Sequence, residues 1–342
     1  MENYIRPFLL AVLISLIATP IVKKIAIKLG AIDIPKDDRR VHNKPMPLMG
    51  GLAIYIGILV SSLIFLPMEK TLVSILLGAT IVLISGIIDD IRGMSPRLKF
   101  LFQIVAGLVL IAGGVKVDFV TNPFSPDYVL LYLKWFTIPI TLFWIVGITN
   151  TVNLIDGLDG LACGVAMIAS ISLMLVAEKF GQVNVTILSA VLAGACLGFL
   201  PYNFNPAKIF MGDTGALLLG FMLAAISIEG VMKSVATIAV VVPILILGVP
   251  IFDTTFAIFR RLLSGKSIAA ADKGHLHHRL LDKGLSQKQT VLILYGLSAV
   301  FGAFAVIVAK ANSKQAVYLS VLLFLAAILF ALKLGMFSNK KK

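Results

Sequence analysis

Apolar segments of membrane-crossing length recur along this chain from end to end, and no other feature restricts its fold so severely. A hydrocarbon core about 30 Å thick takes roughly 20 helical residues. Inside it every backbone amide needs a partner within the protein, which favours helices. Eleven runs can be read: Tyr4–Ala26, Leu48–Leu66, Thr71–Ile88, Lys99–Val115, Lys134–Ile148, Leu158–Ala177, Val185–Leu200, Thr214–Glu229, Val235–Phe259, Thr290–Ala309 and Gln315–Leu334. They predict an all-α, polytopic membrane protein, one transmembrane domain over residues 1–342. Only 14% of residues are charged, against about a quarter in soluble proteins, and the mean hydropathy is +1.00. Pro243 and Pro250 fall inside the ninth run, which is therefore expected to be kinked or broken.

Charge then orients the chain. The net charge of +13 would suit nucleic acid if it were clustered, but it divides by side instead. Counting loops alternately, one side holds residues 27–47, 89–98, 149–157, 201–213, 260–289 and the C-terminal tail. With its helix ends it carries 22 of the 30 Lys/Arg and a net charge of +11, against +2 on the other side. The positive-inside rule places the first side in the cytoplasm, with the N-terminus outside and the C-terminus inside. The basic charge is thus topological, with attraction for anionic headgroups, and nucleic acid is excluded as a partner. Aspartates dominate the cytoplasmic side, and all four glutamates fall outside. Cys163 and Cys196 lie within apolar runs and read as packing residues. Gly160-x-x-x-Gly164 and Gly194-x-x-x-Gly198 signal close helix packing, within the monomer or across a homodimer.

Five polar motifs lie on the cytoplasmic side. Asp89-Asp90 end the third run, where acids oppose the helix dipole and repel each other. That placement calls for a cation, either a metal or one of Arg92, Arg97 and Lys99. In Asn150-Thr-Val-Asn-Leu-Ile-Asp-Gly-Leu-Asp-Gly160, Asp156 and Asp159 are three apart. They share a face if the sixth helix has already begun, and acids at a helix N-terminus are also ordinary caps. Asn203, Asn205, Phe210 and Asp213 offer amides, an aromatic plate and a carboxylate before the eighth run. Carboxylates without cysteine or histidine beside them suit Mg²⁺ better than zinc. His275-Leu-His-His-Arg279 has no zinc spacing, and His275, His277, His278 and Arg279 read as donors to phosphate oxygens. Lys44, held between flanking residues and prolines, reads as a phosphate contact or a topology determinant. Ser264-Gly-Lys-Ser267 resembles the end of a P-loop, but Arg260 stands where its first glycine belongs.

Carboxylates for a divalent metal, an amide-and-aromatic pocket and cations for phosphates are the inventory of phosphoryl transfer from a nucleotide-linked donor to a lipid acceptor. Through Pro47-Leu-Met-Gly-Gly51, Gly86-Ile-Ile-Asp-Asp90, Asn150–Gly160, Phe210-Met-Gly-Asp-Thr-Gly215 and His275-Leu-His-His278, essentially the whole chain resembles the polyprenyl-phosphate N-acetylhexosamine-1-phosphate transferases, which include the MraY and WecA/TagO branches. The histidine motif departs from the three consecutive histidines of the MraY branch and looks like the GlcNAc-1-phosphate branch. So does an eleventh helix with an inside C-terminus.

The resemblance implies transfer of GlcNAc 1-phosphate from UDP-GlcNAc to undecaprenyl phosphate, releasing UMP, at the cytoplasmic face of a bacterial plasma membrane. That is the first membrane step of a cell-envelope glycan such as teichoic acid or lipopolysaccharide. It further implies a need for Mg²⁺, with Mn²⁺ as a substitute. By the same resemblance Asp213 is the main metal ligand, and Asp89 and Asp90 are the acids at the reaction centre, catalytic and available to the metal. Asn150, Asp156, Gly157, Leu158, Asp159, Asn203 and Phe210 match the uridine pocket, and Lys44 and Lys99 match phosphate contacts. The competing readings are phospho-MurNAc-pentapeptide transfer, by the same chemistry, and a transporter. A transporter would place its acids at mid-membrane depth rather than at helix ends.

Overall fold

The computed structural model describes residues 2–34, 45–121, 130–232, 240–265, 274–311 and 313–333. Lys44 lies outside them. Thirteen helices are found among the described residues: α1 (Glu2–Leu29), α2 (Gly51–Phe65), α3 (Lys70–Arg92), α4 (Pro96–Ala112), α5 (Thr137–Ile155), α6 (Leu161–Lys179), α7 (Val183–Asn203), α8 (Gly212–Ser227), α9 (Val241–Ile246), α10 (Gly248–Leu263), α11 (Leu276–Asp282), α12 (Gln287–Val308) and α13 (Ser313–Lys333). Seven are long and apolar enough to cross a membrane: α1, α3, α5 with the turn before it, α6, α7, α8 with the π turn after it, and α12. Two small antiparallel ladders sit at helix connections. β1 (Ile32–Asp33) pairs with β2 (Met46–Pro47), and β3 (Phe119–Thr121) with β4 (Leu130–Tyr132).

α8 is the axis of the bundle. Every residue from Thr214 to Ser227 is buried, as expected of a helix that is apolar all round. It is enclosed by α2, α3, α5 and α6. Missing side chains allow the closest approaches: a Cβ at Gly86 would lie 2.4 Å from Cα of Thr214, and one at Gly220 would lie 2.6 Å from Cα of Thr149. α1 packs on α7 and α2, and α6 lies between α7 and α12. The two small-residue motifs are used inside the monomer. Gly194 and Gly198 face the backbone of α1, and Gly164 faces the ring of Tyr295.

The ninth run is broken, as its prolines predict. α9 stops and α10 begins at Leu247, with Pro243 and Pro250 each in the first turn of its own piece, where proline leaves no amide wanting. The boundaries around residue 150 need correction. α5 does not stop at Ile148 but runs to Ile155, and α6 opens at Leu161 after a left-handed Gly160. Asp156 and Asp159 therefore stand in a connecting loop, on no common helix face, and neither is the N-cap of α6.

An alanine methyl at Gly198 would lie 2.3 Å from the Val12 carbonyl oxygen, whereas one at Gly147 would meet nothing within 4 Å. Gly198→Ala is expected to lower the detergent-solubilised melting temperature, overpacking costing about 1–3 kcal/mol. Gly147→Ala should hold or raise it, alanine being favoured in a helix by about 1 kcal/mol. Parallel thermal unfolding of the two variants checks the pair.

Candidate active site

The site starts from a tight reversal. α3 ends at Arg92 on a left-handed Gly93, and Ser95 caps α4 by accepting from the Leu98 amide, with Pro96 in the first turn. Lys99, on the first turn of α4, is thereby carried back to the acids at the end of α3. Its ammonium lies 2.7 Å from Asp89 Oδ2 and 2.6 Å from Asp213 Oδ2. The unfavourable placement of Asp89-Asp90 is thus offset by two things, Lys99 and the amino end of α8.

The second of these separates the roles of the two acids. Asp90 Oδ1 accepts from the Asp213 amide at 2.9 Å, and Oδ2 accepts from the Thr214 amide at 3.2 Å and the Thr214 hydroxyl at 2.6 Å. A carboxylate against the free amides of a helix N-terminus is well placed electrostatically. Gly86, one turn before Asp90, lets the two helices approach closely enough for it. Asp213 is then held from both sides, by Lys99 on Oδ2 and by Asn153 Nδ2, which donates to Oδ1 at 3.1 Å. Oxygens of Asp89, Asp90 and Asp213 lie within 4.8 Å of one another, the one such group of potential metal ligands among the described residues.

These acids lie against a cavity of about 840 Å³. Its other walls come from the α5–α6 loop and from the 203–212 segment. Of the residues expected in a nucleotide pocket, Asp156, Gly157, Leu158, Asp159, Asn203 and Phe210 all line it. Asp159 Oδ2 joins the two walls, accepting from Asn205 Nδ2 and the Ala207 amide, and Asn205 also donates to Gln287 at the start of α12. Asn203 donates to the Ile209 carbonyl, while its Oδ1 is buried with no hydrogen-bond partner among the described residues. Burial pushes the Asp156 carboxyl up to about 8, with Asp213, Asp90 and Asp159 adding repulsion.

Other expected residues fall elsewhere. Asn150 does not line the cavity: its amide donates to Gln103 Oε1 and to the Val146 carbonyl. The lining amide is Asn153, one helical turn further on, because α5 continues past the point where the hydropathy run ends. Of the histidine motif only His278 reaches the cavity. His275 pairs with Asp253, and Arg279 is buried and donates to the Gly274 carbonyl. Burial, with His278 beside it, lowers the His277 imidazole to about 3, so it stays neutral and offers phosphate no charge. Asp253, Asn153 and Gln287 were not singled out in the sequence. An acid within an apolar run could have flagged Asp253. For Gln287 the sequence carries no signal.

Two measurements follow from this geometry. The unfolded chain loses the Asp156 proton near its ordinary value of 3.8, while the folded chain keeps it to about 8, so stability erodes as pH rises across that window. Asp156→Asn cannot ionise, and its melting temperature in metal-free detergent should rise relative to the parent from pH 5 to pH 8 and level off above. Thr214→Val removes one of the three donors to Asp90 at constant shape. It is expected to cost about 1.5–3 kcal/mol of stability, the weight of one hydrogen bond to a charged group, read as a lower melting temperature in metal-free detergent.

Comparison with known proteins identifies the family. Residues 72–231 match the family model described as Glycosyl transferase family 4. The chain is 44% identical to a Bacillus subtilis protein named as a probable undecaprenyl-phosphate N-acetylglucosaminyl 1-phosphate transferase, covering 100% of this chain and 95% of that one. It is 36% identical to the decaprenyl-phosphate N-acetylglucosaminephosphotransferase of Mycolicibacterium smegmatis, over 87% of this chain and 81% of the relative. A phospho-N-acetylmuramoyl-pentapeptide-transferase of Halalkalibacterium halodurans is more distant, at 32% over 88% and 95%. The chain belongs to the polyprenyl-phosphate N-acetylhexosamine-1-phosphate transferase family, on the side of its GlcNAc-1-phosphate branch.

Proposed function

We propose that this protein transfers N-acetylglucosamine 1-phosphate from UDP-GlcNAc to undecaprenyl phosphate, releasing UMP. The observation that carries the reading is the meeting of Asp89, Asp90 and Asp213 at helix ends, two of them tied by Lys99, with the three acids on one wall of a cavity whose other walls suit a nucleotide. Names of the nearer relatives support GlcNAc over the pentapeptide donor. The charge bias of the loops supports a chain of eleven crossings with this site on the cytoplasmic side, in a bacterial plasma membrane.

The donor set fits Mg²⁺, with Mn²⁺ as a substitute: three carboxylates converge within 4.8 Å with no sulfur or imidazole among them. Asp213 and Asp89 would hold the ion, and Asp90 would complete the set with whatever lone pairs its helix-capping bonds leave. When bound, the ion supplies charge neutralisation for the diphosphate.

The chain's own groups do the rest. An oxygen of the lipid phosphate attacks the sugar-linked phosphorus of UDP-GlcNAc, forming a new P–O–P bridge. The bond from that phosphorus to the oxygen it shares with the uridine-linked phosphorus breaks, and UMP leaves with that oxygen. A phosphate monoester with its second pKa near ~6 is already largely a dianion at neutral pH, so Asp89 need only accept a residual proton. A phospho-enzyme on Asp90 is disfavoured, because both its oxygens are engaged at the amino end of α8. Lys99 offsets the charge of Asp89 and Asp213 that incoming phosphates would meet, and the 156–159 loop orients the nucleotide so that attack and departure are in line.

Purified protein with Mg²⁺ and undecaprenyl phosphate should release UMP from UDP-GlcNAc and not from UDP-MurNAc-pentapeptide. Release from the pentapeptide donor alone would move the chain to the other branch, and no UMP from either would overturn the reading.

A further inference from the structure

Asp253 lies on α10, outside the cavity, and is only 2% exposed. Both its oxygens grip the start of α11: Oδ2 lies 2.7 Å from His275 Nδ1, and Oδ1 accepts from the Leu276 amide at 2.6 Å. Two turns along the same buried face, the Arg260 guanidinium covers Gly274, so closely that a Cβ there would lie 2.3 Å from its central carbon. The Arg279 side chain closes back on the Gly274 carbonyl. Residues 274–279 are thus held against α10 at several points.

What this grip places is a wall of the site. The rings of His275 and His277 are parallel, with centroids 5.9 Å apart, and His278 follows at 4.2 Å from His277. His277 stands directly behind Gly157, where a Cβ would lie 2.5 Å from its Nε2. His278 faces the cavity beside the loop that carries Asp156 and Asp159. α11 is only seven residues long and opens without a side-chain cap from its own N-cap residue, so the amide of Leu276 depends on Asp253.

We propose that Asp253 is a positioning residue for nucleotide-sugar binding, clasping His275 and the Leu276 amide so that His277 backs Gly157 and His278 faces the cavity. The inference rests on the proposed function only for the identity of the ligand. At metal centres a carboxylate behind a histidine fixes the ring's orientation, and its loss costs about ten- to a hundredfold in metal affinity or activity; the Asp253–His275 pair has the same ring-fixing geometry without the metal.

The test uses the full-length protein in nanodiscs. Asp253→Leu and His275→Ala break the clasp. Asp253→Asn still accepts from Leu276 and can donate to His275, and His275→Asn places an amide near the position of Nδ1. The breaking variants should raise KM for UDP-GlcNAc about tenfold with KM for undecaprenyl phosphate unchanged within about twofold. The double variant should add nothing to either single one, and the asparagine variants should stay within about threefold of the parent. Hydrogen exchange at residues 276–280 should quicken in the breaking variants and not in the conservative pair. A fall in kcat alone, or unaltered exchange, would overturn the clasp. If the parent turns over no UDP-GlcNAc, the proposed reaction is what has failed, and the exchange comparison alone decides for or against the clasp. Should Asp253→Leu fail to fold, the two His275 variants decide it.

Discussion

The amino end of a buried helix presents free amides, each costing about 1–3 kcal/mol if buried without a partner. In α8 that end is met by Asp90, and the rest of the site depends on this bond. It joins α3 to α8 where Gly86 allows their backbones to meet, and it sets the position of Asp213, whose own amide is one of the donors. The Pro47–Gly51 motif closes the same turn from the other side. Phe210 donates to the Pro47 carbonyl, and the Gly50 and Gly51 amides donate to the Phe210 and Met211 carbonyls. Motifs far apart in sequence are therefore one hydrogen-bonded unit around the first turn of α8.

Charge is arranged on that unit with a surplus of acid. Two unit charges about 4 Å apart interact by about 4 kcal/mol at an effective dielectric of ~20, so Asp89, Asp90 and Asp213 could not converge without compensation. Lys99 supplies it to two of them and the helix amides to the third. Asp156, further along the wall, is relieved by keeping its proton. The result is a region whose charge suits a divalent cation.

How much of this was legible depended on the range of the interaction. Apolar runs and the two prolines predicted a helical membrane protein and a break in the ninth run, because both are local consequences of backbone chemistry. The awkward position of Asp89-Asp90 pointed to a neutralising partner, and Lys99 is that partner. Hydropathy failed at the end of α5. Polar residues close the apolar run at Ile148, yet the helix continues because Asn150 finds Gln103 and Asn153 finds Asp213, partners 47 and 60 residues away. For the same reason the sixth helix has not begun at Asp156 and Asp159, and the shared helix face open to them is not realised. The histidine motif read as a cluster of phosphate donors because its spacing carries no trace of Asp253 or of the burial that keeps His277 neutral. Tertiary contact decided each of these residues.

The first turn of α8 is a single rigid junction serving several needs at once. Asp213 belongs to it, Asp90 caps it, and the segment bearing Asn203 and Phe210 leads into it. A substitution there disturbs fold, charge balance and cavity wall together. The opposite rim has a different support: His278 and Gln287 are carried by α11 and α12, and α12 packs on α6 rather than on the first turn of α8. Changes on that rim leave the α8 junction intact. An inhibitor meant to act across the family is best anchored at the α8 junction, and one meant to discriminate within it should reach toward α11.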